Sequence, residues 1–194
     1  MRGCRPLTDF EIQRLLDLLS APNWYCARAL IVLGLRTGMR LTSMLRLRIG
    51  DVADNSGKIR SRIHVRRSTV KGKTAGYSIP AHAQLKVSLQ AHIDTLTDRR
   101  PGAFVFPGRK AGKHIHRVTG WRIFVAVLEE LEIAGARGEL GVHALRKTFA
   151  RQIHKNLGYD IVKTKQALRH ASITTTIDYL SFDEEEIDAA ILRL

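Results

Sequence analysis

His143-Ala144-Leu145-Arg146-Lys147-Thr148-Phe149-Ala150 opens a helix expected to run to Leu157, with Gly158 as a left-handed stop. Residues three apart share a helix face, so His143 and Arg146 can converge on one group. Arginine brings a planar fork that matches phosphate oxygens. Histidine gains or loses a proton near neutral pH. A capping histidine followed by a solvated arginine would give the same letters, so this pair alone is weak.

A second stretch follows, Leu168-Arg169-His170-Ala171-Ser172-Ile173-Thr174-Thr175-Thr176-Ile177-Asp178-Tyr179. On one continuous helix His170 and Tyr179 would lie on opposite faces, because their spacing is about two and a half turns. Ser172 as an N-cap breaks that helix and lets both side chains face one site. The ordinary alternative for Tyr179 is a partly buried tyrosine with its hydroxyl bonded. Upstream, Arg36-Thr37-Gly38-Met39-Arg40 ends a helix at a glycine, which places Arg40 at a junction between rigid elements. Taken alone, Arg40 is equally well one surface arginine among many.

Working outward, Thr8 and Glu11 form a capping box ahead of Ile12, Leu15, Leu16 and Leu19, an apolar stripe at helical spacing. Ala21-Pro22-Asn23 ends that helix. A second, apolar on most sides and therefore central, runs through Cys26, Leu30, Ile31 and Leu33 to Gly38, and a short helix carries Leu45 and Leu47. From Asp51 to Pro80 the pattern turns to strands, Ile59 to Val65 and Tyr77 to Ile79, with Lys71-Gly72-Lys73-Thr74 at a tip between them. Helices return over His82 to Leu96 and Val118 to Ile133. After the helix from His143, Asp160 and Ser172 cap two more, and an acidic start marks a last one from Asp183 to Leu194. The fold class is α+β: a mainly helical single domain, 1–194, with a small antiparallel β-sheet inserted after the first helices.

The formal net charge is +14, which points to a polyanionic partner. The basic residues do not gather beside a membrane-spanning stretch or along one amphipathic face. They recur from Arg36 to Arg48, Arg60 to Lys73 and Lys110 to Arg122, as for a nucleic acid gripped from several sides. No apolar run is long enough to span a bilayer. Only two cysteines are present, Cys4 and Cys26, with no metal-site spacing. His114 and His116 lack further ligands and read as loop residues rather than a metal pair.

The order is decisive where its parts are not. An arginine, a lysine-bearing β-turn, HxxR, then a histidine with a tyrosine nine residues later resembles the tyrosine recombinase (phage integrase) family. The likeness covers Thr8 to Phe182 and is closest in TGMR (37–40), HALRKTFA (143–150) and LRHASITTT through DYL (168–180). It implies a catalytic domain that cuts and rejoins DNA through a 3′-phosphotyrosine, with no metal and no nucleotide cofactor. Arg40 and Arg146 match the pair that clamps the scissile phosphate, and Tyr179 matches the nucleophile. His143 matches the residue assigned to proton transfer, and His170 a second donor to the phosphate. The leaving-group acid is Lys71 or Lys73, with Lys71 favoured and Lys73 then contacting a phosphate or groove edge.

Two positions depart from the family pattern: Ser43 stands where an acid usually buttresses the site, and Arg169 where glycine usually precedes the second histidine. Arg169 is expected to point outward, toward DNA. By resemblance the helix after Lys113 lies at the major groove, with Arg117 or Arg122 reaching base edges. Equally, Trp121 is core and those cations touch only phosphates. The N-terminal helical domain of many relatives is expected to be absent, and the segment 183–194 to dock on a neighbouring subunit or fold back. The expected partner is double-stranded DNA carrying recombination sites, bound as a tetramer by a chain that is a monomer or weak oligomer when free. A cytoplasmic, bacterial or phage-encoded protein is the corresponding setting, and a DNA-binding regulator with little turnover is the alternative.

Overall fold

The computed structural model describes residues 4–69, 75–133, 140–180 and 191–193. The chain forms two compact units, Met1–Phe149 and Ala150–Leu194.

In the first unit, helix α1 (Asp9–Leu18) begins at the expected capping box, with Thr8 accepting from the Glu11 amide and Glu11 accepting from the Thr8 amide. Arg5 closes on Glu11 at 2.5 Å and holds its carboxyl below the ordinary range. Helix α2 (Tyr25–Thr37) is the axis of this unit: Ala29, Leu30, Ile31, Val32 and Leu33 are fully buried. One side meets Met44, Leu45, Leu47, Leu85 and Leu89. The other meets Leu7, Leu15, Leu19, Phe124, Leu128 and Leu145. A helix apolar all round must be covered on all sides, and that requirement organises the unit.

The short helix expected around Leu45 and Leu47 is two helices, α3 (Leu41–Leu45) and α4 (Ile49–Val52). Leu47 lies between them, fully buried, its carbonyl accepting from the Val105 amide at 3.0 Å. The two strands are β1 (Arg62–Val65) and β2 (Tyr77–Pro80), antiparallel, with Ile63 opposite Ile79 and Val65 opposite Tyr77. Period-two alternation holds in β1, where Ile63 and Val65 are buried while Arg62 and His64 are exposed. The first strand is shorter than expected, since the Ile59 amide donates instead to Gln90 Oε1.

Helix α5 (Ala83–Ile93) starts at His82, whose ring caps the Gln84 amide, and Arg36 clamps the Gln84 side chain at 2.8 and 3.0 Å. Helix α6 (Arg117–Glu130) is capped by His116. Among the described residues no group of side chains could hold a metal ion, and no single helix is long and apolar enough to cross a membrane.

Helix α7 (His143–Asn156) packs its first turns onto the end of α2. A Cβ at Gly34 would lie 2.8 Å from Leu145 Cδ1, and one at Gly38 would overlap Phe149 Cδ1. Gly38 also has φ +60°, a left-handed stop for α2. The glycine is therefore required twice, for its dihedral and for its missing side chain.

The second unit contains the rest of α7, then α8 (Ile161–Leu168) and α9 (Ile173–Leu180). Gly158 and Tyr159 both have positive φ, and Asp160 caps α8 through the amides of Val162 and Lys163, each at 2.9 Å. Thr164 donates its hydroxyl proton to the Asp160 carbonyl, so His154 Nδ1, 2.9 Å from Thr164 Oγ1, is the donor to that hydroxyl oxygen. Of the segment 183–194, only 191–193 fall among the described residues.

Gly38→Ala should destabilise the protein by roughly 2–5 kcal/mol, from the left-handed dihedral and the overlap with Phe149. Chemical denaturation measures this. Adding Phe149→Leu to Gly38→Ala should recover part of the loss, because it relieves the overlap and leaves the dihedral cost.

Candidate active site

Three of the residues singled out from sequence come together in the first unit. Arg40 is the N-cap of α3, in extended conformation, its carbonyl accepting from the amides of Ser43 and Met44 at 2.9 and 3.0 Å. The turn at Gly38 delivers it there, three residues after α2 ends. Arg146 is buried, 5% exposed, and donates from Nη1 to the carbonyl of Gly38. His143 begins α7, and its pKa is pushed below the ordinary imidazole value. Partial desolvation is the largest cause, followed by the charges of Arg146, Arg40 and Lys147. An imidazole set among cations resists becoming one.

A cleft of about 360 Å³ opens beside these groups, lined by Met39, Leu41, Arg117, Val118, Trp121, Val142, His143 and Arg146. His143 and Arg146 thus serve one surface, as their spacing requires. Trp121 is 41% exposed, which removes it from the core. Arg117 lines this cleft, whereas Arg122 and Lys113 line another with Lys110, His114 and His116. The basic residues around the start of α6 therefore address two separate grooves.

Lys71 and Lys73 fall in the connection between the paired residues Val65 and Tyr77, and lie outside the described residues. What precedes them is fixed by a residue the sequence marked only as a departure. Ser43 is buried and donates from Oγ to the Thr69 carbonyl at 3.0 Å, tying α3 to the turn Arg67–Thr69.

The second unit holds the other two. His170 is buried, and its ring meets that of Tyr179 edge-on, centroids 4.8 Å apart at 63°. Its Nδ1 is 3.0 Å from Thr176 Oγ1, on a fully buried threonine. Ser172 Oγ accepts from the Thr174 amide at 3.2 Å, confirming the break that brings His170 and Tyr179 together. Arg169 is exposed, at φ +54°. Its amide donates to the Gln166 carbonyl and that of His170 to Lys165, each at 3.1 Å. These two bonds are a Schellman closure, whose left-handed position usually takes glycine.

The mainly helical fold with its two-stranded antiparallel sheet is shared with solved recombinases. The chain belongs to the phage integrase family, which it matches over residues 5–186. It is 26% identical over 193 residues to tyrosine recombinase XerA of Pyrococcus furiosus, covering 97% of this chain and 61% of that one. It is also 26% identical over 162 residues to the probable integrase/recombinase YoeC of Bacillus subtilis, covering 83% and 80%. The crystal structure of XerA recombinase superposes with a TM-score of 0.75 at 22% identity, over 100% of this chain and 66% of its own. XerH site-specific recombinase bound to palindromic difH substrate, a post-cleavage complex, gives 0.71 at 22%, over 96% and 51%. The chain thus spans between about half and four-fifths of the length of these proteins.

His143 should titrate below about 6.5, and Arg40→Gln should raise its pKa by removing one of the named charges. Between the folded value and 6.5 the unfolded chain binds more protons than the native one. This histidine therefore lowers stability as pH falls through that window and changes nothing further below it. Following the imidazole proton resonances of both variants through pH 4–8 checks the direction; an unchanged or lower pKa in Arg40→Gln would contradict the assignment.

Proposed function

We propose that this protein cleaves and rejoins DNA strands as a site-specific tyrosine recombinase, without metal or ATP. The observation that carries the reading is the placing of Arg40, Arg146 and His143 in one electrostatic neighbourhood. Fixed guanidinium donors aimed at a phosphate stabilise charge as it builds on the non-bridging oxygens, where other enzymes use a metal ion. His170, buried and packed on Tyr179, is assigned as a further donor to the same oxygens.

In this scheme the Tyr179 hydroxyl attacks phosphorus and passes its proton to His143, whose lowered pKa keeps it in the accepting form. The bond from phosphorus to the 5′-oxygen breaks, and that oxygen takes a proton from Lys71, with Lys73 the other choice. The phosphodiester energy is kept in the tyrosyl ester. Attack by a 5′-hydroxyl of a second strand then reverses each transfer and joins new partners. Double-stranded DNA carrying recombination sites is the partner, bound as a tetramer on paired sites. We take both compact units to work as one catalytic domain, with the segment 183–194 docking on a neighbouring subunit. Lys113, Arg117, Arg122 and Arg169 are assigned to DNA, the first three by their exposure around α6. The bacterial or phage-infected cytoplasm is where this reading puts the protein.

Nicked suicide substrates carrying the natural site should trap a covalent protein–DNA adduct that survives EDTA. Tyr179→Phe should abolish the adduct and retain DNA binding; an adduct persisting in that variant would remove Tyr179 from the role. Of Lys71→Ala and Lys73→Ala, the variant rescued by a bridging 5′-sulfur substrate, whose leaving group needs no proton, identifies the acid.

A further inference from the structure

The cleft beside Arg146 is larger and more apolar than a phosphate needs. Its volume, about 360 Å³, lies in the range of sites for small organic ligands. Met39, Leu41, Val118, Trp121 and Val142 form its apolar walls, and Arg117, His143 and Arg146 supply its basic groups. Trp121 is 41% exposed and Val118 42%. They follow Arg117 in the first turns of α6, where an exposed apolar pair contributes little to the fold. Basic and apolar surfaces in one recess call for a ligand that is anionic at one end and flat and apolar at the other.

We infer that the cleft seats a nucleobase of the bound DNA, its own phosphate against Arg146 and His143 and its face against the Trp121 indole. Trp121 is thereby a residue that positions DNA through base contact, beside the phosphate that Arg146 and His143 hold. This rests on the reading of the protein as DNA-cleaving only in the choice of anion. Charge complementarity favours a nucleotide over an apolar protein segment, which would bring no anion to a recess lined by Arg117, His143 and Arg146. Stacking on an aromatic platform contributes binding that does not depend on base identity.

The test separates base from phosphate. Two probes of equal charge are used, a five-residue oligothymidylate and a five-residue abasic deoxyribose-phosphate chain, at low salt. The protein has two tryptophans, so Trp24→Phe assigns the Trp121 indole N–H resonance. The oligothymidylate should move that resonance and bind about 5- to 150-fold more tightly than the abasic chain. Trp121→Ala should erase the difference between the probes, and Trp121→Phe should keep most of it. An undisturbed Trp24 indole resonance in both Trp121 variants shows that they fold. Equal affinity of the two probes, or a difference that survives in Trp121→Ala, would overturn the proposal. So would a Trp121 resonance unmoved by either, the cleft then being shaped for an apolar chain segment. Repeating the titration in Tyr179→Phe keeps this outcome apart from the cleavage assignment, because binding needs no nucleophile.

Discussion

The hydrogen bond from Arg146 to the carbonyl of Gly38 is the constraint on which the site in the first unit depends. A buried guanidinium is costly unless its donors are met, and a carbonyl at the frayed end of a helix is an acceptor otherwise without an intrahelical partner. Each satisfies the other. The bond forms only because α7 can approach α2 closely, with Leu145 and Phe149 occupying the space that side chains at positions 34 and 38 would fill. The same turn that exposes the Gly38 carbonyl carries the chain into Arg40. One backbone geometry therefore sets both arginines, and fixing one nitrogen of a planar fork fixes the direction of the rest.

Concentrating cations in this way works against the folded state and for an anionic ligand. Elsewhere in the first unit some arginines have acidic partners: Arg66 pairs with Asp51 at 3.0 Å, Arg5 with Glu11, and Arg100 with Asp98, whose carboxyl is held down to about 2. Around His143 stand the charges of Arg146, Arg40 and Lys147, all of which lower its pKa. An anionic ligand relieves repulsion among such cations, so part of the cost of bringing them together returns as affinity. Together with partial desolvation, these charges favour the neutral imidazole, the form that can accept a proton.

Much of this was legible in the letters because it follows from local rules. Thr8 and Glu11 specify a capping box wherever they stand before an apolar stripe, and His143 and Arg146 share a face by helical geometry alone. The α2 axis was readable from its lack of a polar side. What could not be read depended on residues distant in sequence. Leu47 leaves the helical pattern because its carbonyl is taken by Val105, and Ile59 leaves the strand because Gln90 reaches its amide. The acceptor for Arg146 is a backbone atom more than a hundred residues away, and no side-chain pattern announces it. Trp121 could be placed neither inside nor outside, since α6 carries apolar residues on more than one face.

Arg169 shows how a departure from a pattern can keep the pattern's purpose. The left-handed conformation costs a non-glycine residue roughly 1–2 kcal/mol, which is why glycine is usual at this position. Here the two Schellman bonds of Arg169 and His170 hold the turn despite that cost. The geometry must be held because the next residue is His170, whose ring has to enter a buried position between Thr176 and Tyr179. A relaxed turn would rotate His170 away from both. The strain is thus local, and it is tolerated where it fixes the orientation of the ring, while the long exposed side chain that replaces glycine adds a positive charge on the outer side of the same turn.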